Sequence, residues 1–225
     1  MLGVVLPFLG PFLKGRGLDA VAVGLVTAAF SLAKLGYAPI LGWKIDRGWW
    51  IPGLLSLHMA VAVAASILVV WLRDPWLLGV ALLVVGLGYG MVLPLVEAAV
   101  LERPPDRGYG FVRWWGSAGF IAVAGVAAVV IGKRGFEAFP IVLIGLLVLL
   151  GLSCVPLEAE ARPRPRRDAG SRVAGVVWAL LAILTLHQVA HGPYYAFFSI
   201  HLQENGIGTG VVAGLWSLAV LAEMA

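Results

Sequence analysis

The chain has 225 residues, of which 61% are hydrophobic and 12% charged, with a formal net charge of +4. Soluble domains average about 25% charged residues, so a single water-soluble core cannot account for this composition. The basic excess does not by itself indicate a nucleic-acid partner, because most of the cations lie in the connections between apolar runs.

The first apolar stretch, MLGVVLPFLGPFL, ends at Lys14 and has no cationic segment before it. It reads as a partial helix, a poor signal peptide and too short for a full span. Six longer stretches follow, roughly at 20–42, 51–72, 77–101, 114–132, 139–157 and 173–200. Each meets or approaches the ~20 residues that cross a bilayer as helix. The last run, VVAGLWSLAVLAEMA, stops while still apolar. These features predict an all-α membrane protein of six complete spans with a partial one at each end, a chain that looks truncated. The single Cys154 lies in an apolar segment and has no partner for an intramolecular disulfide.

If the first helix runs outward, the inner side carries Lys44, Arg47, Arg103, Arg107, Arg113, Arg162, Arg164, Arg166, Arg167 and Arg172. The outer side then carries Lys14, Arg16, Arg73, Lys133 and Arg134. This bias places the N-terminus and the central loop in the cytoplasm of a multi-pass protein of the cell inner membrane. The central loop, EAEARPRPRRDAGSR, is the longest polar connection. Three regions are therefore expected: an N-terminal transmembrane bundle over 1–157 (helices 1 to 6), a basic cytoplasmic linker over 158–172, and the start of a second bundle over 173–225 (helices 7 and 8). The linker also suits anionic lipid headgroups.

Residues RGYGFVRW at 107–114 approach the aromatic strand signature of an RNA-recognition domain. They join two membrane-length runs, however, and the signature belongs to a soluble sheet, so no nucleic-acid partner is expected. GLGYG at 86–90 lies inside a span with no strand before it, which excludes a nucleotide loop. Gly86 and Gly90, like the small residues of GSAG at 116–119, are expected to let helices approach closely.

Ionisable residues inside spans cost about 2.5–3.5 kcal/mol on insertion scales and so point to a site. Glu97 and Arg113 flank the connection ERPPDRGYGF symmetrically, at matched depth on consecutive helices, where they are expected to interact. The guanidinium fork also suits a substrate carboxylate; the alternative is mutual neutralisation near the inner interface. His191 and Glu223 flank the outer connection in the same way, about 18 Å into the membrane. Away from water a carboxyl group holds its proton more tightly and an imidazole less, which suits both residue types to proton exchange.

His187 and His191 share a helix face in HQVAH, but no third ligand is near in sequence and no metal is expected. Gly192-Pro193 is expected to break that helix, as discontinuous helices do at transporter midplanes. Tyr194, Tyr195, Phe197 and Phe198 around the break either stack on a ring-bearing substrate or simply pack. Lys34 is one more intramembrane charge, with no partner to assign.

Three segments carry a resemblance: YGFVRWWGSAGF at 109–120, HGPYYAFFSIHLQENGI at 191–207 and the closing LWSLAVLAEM. The chain resembles the major facilitator superfamily, and within it the phenylpropionate permease group, related to the lactose permease and nucleoside:proton symporter families. The resemblance implies a major facilitator-type helical bundle, of which the chain holds the first six-helix bundle and the start of the second. Gly42, Asp46 and Arg47 resemble the superfamily's gating motif, although Trp49 and Trp50 depart from it. Glu97 and Arg113 match the relatives' substrate pair, and Glu223 resembles a carboxylate concerned with coupling. His191 stands at a polar position where the relatives have another residue type. Trp114, Trp115 and Phe120 offer aromatic contact to a substrate or act as interfacial anchors.

The resemblance implies a secondary active transporter, a proton-coupled symporter importing a small organic solute by alternating access. A 3-phenylpropionate-like aromatic acid is favoured over a sugar or nucleoside. Substrate contact is assigned to Glu97, Arg113, Phe120, His191, Tyr194 and Tyr195, and proton coupling to Glu223 and His191. The coupling ion is H+, with no other cofactor; the expected partners are the solute and membrane lipid, and the protein is expected to be a monomer. The alternatives are a non-transporting fragment of such a permease or a metal-dependent membrane enzyme using HQVAH; no catalytic residue is assigned, because no nucleophile is paired with a base and an orienting group.

Overall fold

The computed structural model describes residues 1–47, 53–102, 108–160 and 175–224. Most of the linker expected at 158–172 lies outside them, as do Trp49, Trp50, Arg103 and Arg107 and the side chains of Lys34 and Asp46. Among the described residues the chain is all helical: α1 (Leu2–Gly15), α2 (Ala20–Asp46), α3 (Leu54–Trp71), α4 (Pro75–Gly90), α5 (Val92–Glu102), α6 (Gly108–Arg134), α7 (Phe139–Glu160), α8 (Gly175–Glu204) and α9 (Thr209–Met224). A short 3-10 turn, Phe136–Ala138, leads into α7. Five stretches are long and apolar enough to cross a membrane: Leu54–Trp71, Pro75–Glu97, Gly108–Arg134, Phe136–Pro156 and Gly175–Glu204.

Short polar signals set the boundaries of these apolar helices. The Asp19 carboxylate caps α2 by accepting from the Ala22 N–H at 2.8 Å. Asp74 accepts from Trp76 and Leu77 N–H at the start of α4, with Pro75 at the first helical position. Helix α8 closes with Gly206 at φ 78°, the Gly206 N–H returning to Gln203 O and the Ile207 N–H to Leu202 O at 3.0 Å. These two bonds satisfy terminal carbonyls in a geometry that suits glycine.

Two expectations about continuity are corrected. The span expected at 77–101 is two helices, separated at Met91. Pro94 explains this, having no N–H to offer Gly90 and a ring that crowds the Gly90 carbonyl. Conversely, α8 runs unbroken through Gly192 and Pro193. A helix tolerates the single bond lost at Val189, and a chain of this length continues on both sides.

Helix α1, too short to count as a full span, is the most deeply enclosed element. Val4, Phe8, Phe12 and Leu13 are 0–1% exposed, and Phe12 stacks on Phe139 of α7 at 4.9 Å. Around α1 stand α6, α7 and α8, while α2 packs on α4, α3 on α4 and α7, and α6 on α9. A second, smaller cluster of Leu41, Ile45, Leu54 and Met91 joins the far ends of α2, α3 and α4.

Backbones approach closely at three glycines. A Cβ on Gly88 would lie 2.5 Å from His58 O, one on Gly3 2.5 Å from Phe120 O, and one on Gly10 2.5 Å from Ala196 O. At Gly116 and Gly119 a Cβ would meet nothing within 4 Å, so the expectation of close packing at GSAG is corrected. In GLGYG, Gly86, Gly88 and Gly90 are all buried.

At the α1–α2 end of the bundle a polar clamp ties three connections together: α1–α2, α3–α4 and α6–α7. The Arg16 guanidinium donates to Leu72 O at 2.6 Å, Val70 O at 3.1 Å and the Glu137 carboxylate at 2.6 Å, and Arg73 donates to the same carboxylate at 3.0 Å. The Leu72 and Val70 carbonyls lie at the C-terminal end of α3, where a cation is favoured. Beside the clamp, Lys14 pairs with Glu204 and so links α1 to α8.

Candidate functional site

Glu97 on α5 and Arg113 on α6 are the first pair to place. The half-buried Glu97 carboxylate accepts a hydrogen bond from the Tyr109 hydroxyl at 3.2 Å. Among the described residues no ion pair joins Glu97 to Arg113, whose side chain is exposed. The expected interaction is therefore replaced by a contact one helical turn earlier on α6. Tyr109 and Arg113 are four residues apart and share a face. Further along that face come Gly116, open around its Cβ, and Phe120, half-buried against the core. Trp114 and Trp115, edge to face at 5.2 Å, are more than half exposed, as interfacial anchors are.

The second group is held by α8 and α9. Trp216 and Ser199 are both 3% exposed, and the indole N–H donates to the Ser199 hydroxyl at 2.9 Å. Tyr194 packs on Trp216 at 4.9 Å and on Phe198 at 4.7 Å, and Tyr195 lies 6.0 Å from the same indole. His191 stands 5.6 Å from Tyr195, its Nδ1 bonded to His187 O at 2.9 Å. His191 and Tyr195 thus meet on one face of α8, while among the described residues no hydrogen bond or ion pair joins His191 to Glu223 of α9.

The residues that the sequence suggested for gating lie at the end of α2. Gly42 has open space around its Cβ, and the Arg47 guanidinium stacks 3.9 Å over the Trp43 ring. Nearby, Tyr37 on α2 and the His58 Nε2 on α3 lie 2.6 Å apart, and His58 Nδ1 is 2.6 Å from Leu54 O. The carbonyl only accepts, so Nδ1 carries the proton, and Nε2 accepts from the Tyr37 hydroxyl. A groove of about 530 Å³ runs between α6 and α9. Its lining includes Lys133, Thr209 and Ser217 but none of the residues assigned from sequence to substrate or proton.

Sequence reasoning missed Tyr109, Tyr37, His58, Ser199 and Trp216 as members of polar pairs. The symmetry about a connection that singled out His191 and Glu223 also fits Ser199 with Trp216 across the α8–α9 turn. Tyr37 and His58 stand at unequal distances from the α2–α3 connection and carry no such signal.

The MFS_1 like family model matches residues 1–225. The chain belongs to the MFS_1 like family. Among curated relatives of this MFS_1 like chain, the "Probable 3-phenylpropionic acid transporter" of Escherichia coli (strain K12) is 29% identical over 244 residues, covering 99% of this chain and 61% of that protein. The "Lysosomal dipeptide transporter MFSD1" of Homo sapiens is 24% identical over 162 residues, covering 68% of this chain and 34% of the relative. The chain thus spans less than two thirds of the length of either. The crystal structure of the nucleoside transporter NupG superposes with a TM-score of 0.58 at 17% identity, over 80% of this chain and 46% of that one. Its D323A mutant gives 0.59 at 16% identity. These likenesses establish a major facilitator transporter fold and a multi-pass membrane protein.

Proposed function

We propose that the chain works as a proton-coupled symporter that imports a small aromatic acid of the 3-phenylpropionate type by alternating access, transport rather than catalysis. The observation that carries this reading is Arg113. It is an exposed guanidinium at the head of a membrane-spanning helix, without a carboxylate partner among the described residues, on the same face as Phe120. A fixed cation and an aromatic ring on one helix face, about 10 Å apart along the axis, suit a ligand with a carboxylate at one end and a ring at the other. The printed name of the Escherichia coli relative supports the same substrate class.

In this reading Tyr194 and Tyr195 add ring contacts from the second bundle, and Glu223 with His191 takes and releases the proton. Gly42, Asp46 and Arg47 gate the inner end. The N-terminus and the 158–172 linker are cytoplasmic, the membrane is the cell inner membrane, and the protein is a monomer in contact with membrane lipid. Two bundles rock around a central site.

The test is uptake of radiolabelled 3-phenylpropionate into liposomes carrying the full chain, with the outside made acidic. Accumulation that collapses with a protonophore, and is not competed by a sugar or a nucleoside, is expected. Uptake unaffected by the pH gradient would remove proton coupling, and competition by a nucleoside but not by an aromatic acid would replace the substrate class.

A further inference from the structure

Two acidic groups compete for the Arg113 guanidinium if the substrate is a carboxylate: the substrate's own and Glu97. An Arg–carboxylate pair is the stronger kind of hydrogen bond and is often bidentate. An internal pair would therefore satisfy the cation before any ligand arrived. The structure holds Glu97 elsewhere, because its carboxylate accepts from the Tyr109 hydroxyl on α6. Arg113, one turn further along that face, has no carboxylate partner among the described residues. Beyond it the open space at Gly116 leaves room on the way to Phe120.

We infer that Tyr109 is a positioning residue that sets substrate class: by engaging Glu97 it keeps Arg113 available for the carboxylate of an organic acid. The inference rests on the substrate reading proposed above. At 3.2 Å the bond is long for an O–H···O contact, so it biases the Glu97 rotamer rather than locking it. Losing a bond of this kind shifts the competition about fivefold. The effect acts on an acid and leaves an uncharged analogue of the same shape untouched. It also requires Glu97 to be charged.

The experiment measures equilibrium binding of 3-phenylpropionate and 3-phenylpropionamide to the purified full chain by calorimetry. The variants are Tyr109→Phe, Glu97→Gln, their double mutant and Arg113→Gln. The expected result is that Tyr109→Phe weakens the acid about fivefold, leaves the amide unchanged, and has no effect on acid binding in the Glu97→Gln background. Equal weakening of acid and amide, or the same loss with and without the Glu97 charge, would mean a merely structural tyrosine and overturn the inference. No loss in Tyr109→Phe while Arg113→Gln abolishes acid binding would overturn it too, leaving the substrate reading standing. Wild-type acid binding in Arg113→Gln would overturn that reading itself. Tyr109→Gln, which keeps a donor, is the second variant should Tyr109→Phe fail to fold, and it should retain the wild-type preference for acid over amide; loss of that preference would overturn the inference.

Discussion

Replacing Arg16 by Met should destabilise the protein far more than the same change at Arg73, although both arginines bind one carboxylate. The Arg16 side chain is 1% exposed, whereas that of Arg73 is 65% exposed. Met keeps most of the stem packing and deletes the guanidinium. What is lost is a charge-assisted bond to Glu137, worth about 1.5–3 kcal/mol, and the partners of two carbonyls at about 1 kcal/mol each. Glu137 is half exposed and retains Arg73, so solvent moderates its share. The total, about 3–5 kcal/mol, matches the usual cost of removing one partner of a buried pair. For a chain of this size that is a fall in Tm of about 6–20 °C. Arg73→Met removes one exposed contact, worth about 1 kcal/mol or less, or at most about 4 °C. Thermal unfolding in detergent, followed by tryptophan fluorescence, measures both. A shift for Arg16→Met no larger than that for Arg73→Met would refute the reasoning that burial at the clamp sets its strength.

Gly88→Ala should cost about 1–3 kcal/mol through overpacking against the His58 carbonyl, while Gly116→Ala, with open space around it, should be neutral or gain up to about 1 kcal/mol of helix propensity; the same melting assay separates them. Trp216→Phe should lower stability by about 1 kcal/mol or more, since it strands the buried Ser199 hydroxyl, and adding Ser199→Ala should recover part of that loss. Cysteines placed at Lys14 and Glu204 should cross-link under mild oxidation, because that ion pair joins α1 to α8, and a failure to do so would mean those ends stand apart. Glu223→Gln in the full chain should spare substrate exchange while abolishing pH-driven accumulation, and accumulation at the wild-type level would take Glu223 out of the mechanism.

Helix class and the family were legible in the sequence because membrane-length apolar runs and their polar connections mark them directly. The continuity of those runs was not. Pro94 and Pro193 both sit inside an apolar stretch, yet only the first coincides with a break. Composition does not distinguish a proline whose lost bond is tolerated from one where the chain bends. Counting from their connection suggested Glu97 and Arg113 as a pair, but the partner of Glu97 was not readable. A tyrosine and an arginine share one face of α6, and their spacing alone does not say which of them meets that carboxylate. The close contacts expected at Gly116 and Gly119 fail for a similar reason. Small residues permit contact, but only the facing helix, at Gly3, Gly10 and Gly88, makes it.

Gly3 and Gly10 lie two helical turns apart and therefore on one face of α1, about 10 Å from each other along its axis. The first meets the backbone of α6 in the N-terminal bundle, and the second meets the backbone of α8 beyond the central linker. At Gly10 the Ile200 side chain adds to the contact beside the Ala196 carbonyl. A bulky residue at Gly10 would push α1 and α8 apart and so change how the segments on either side of the central linker meet, from a position outside the residues assigned to solute or proton.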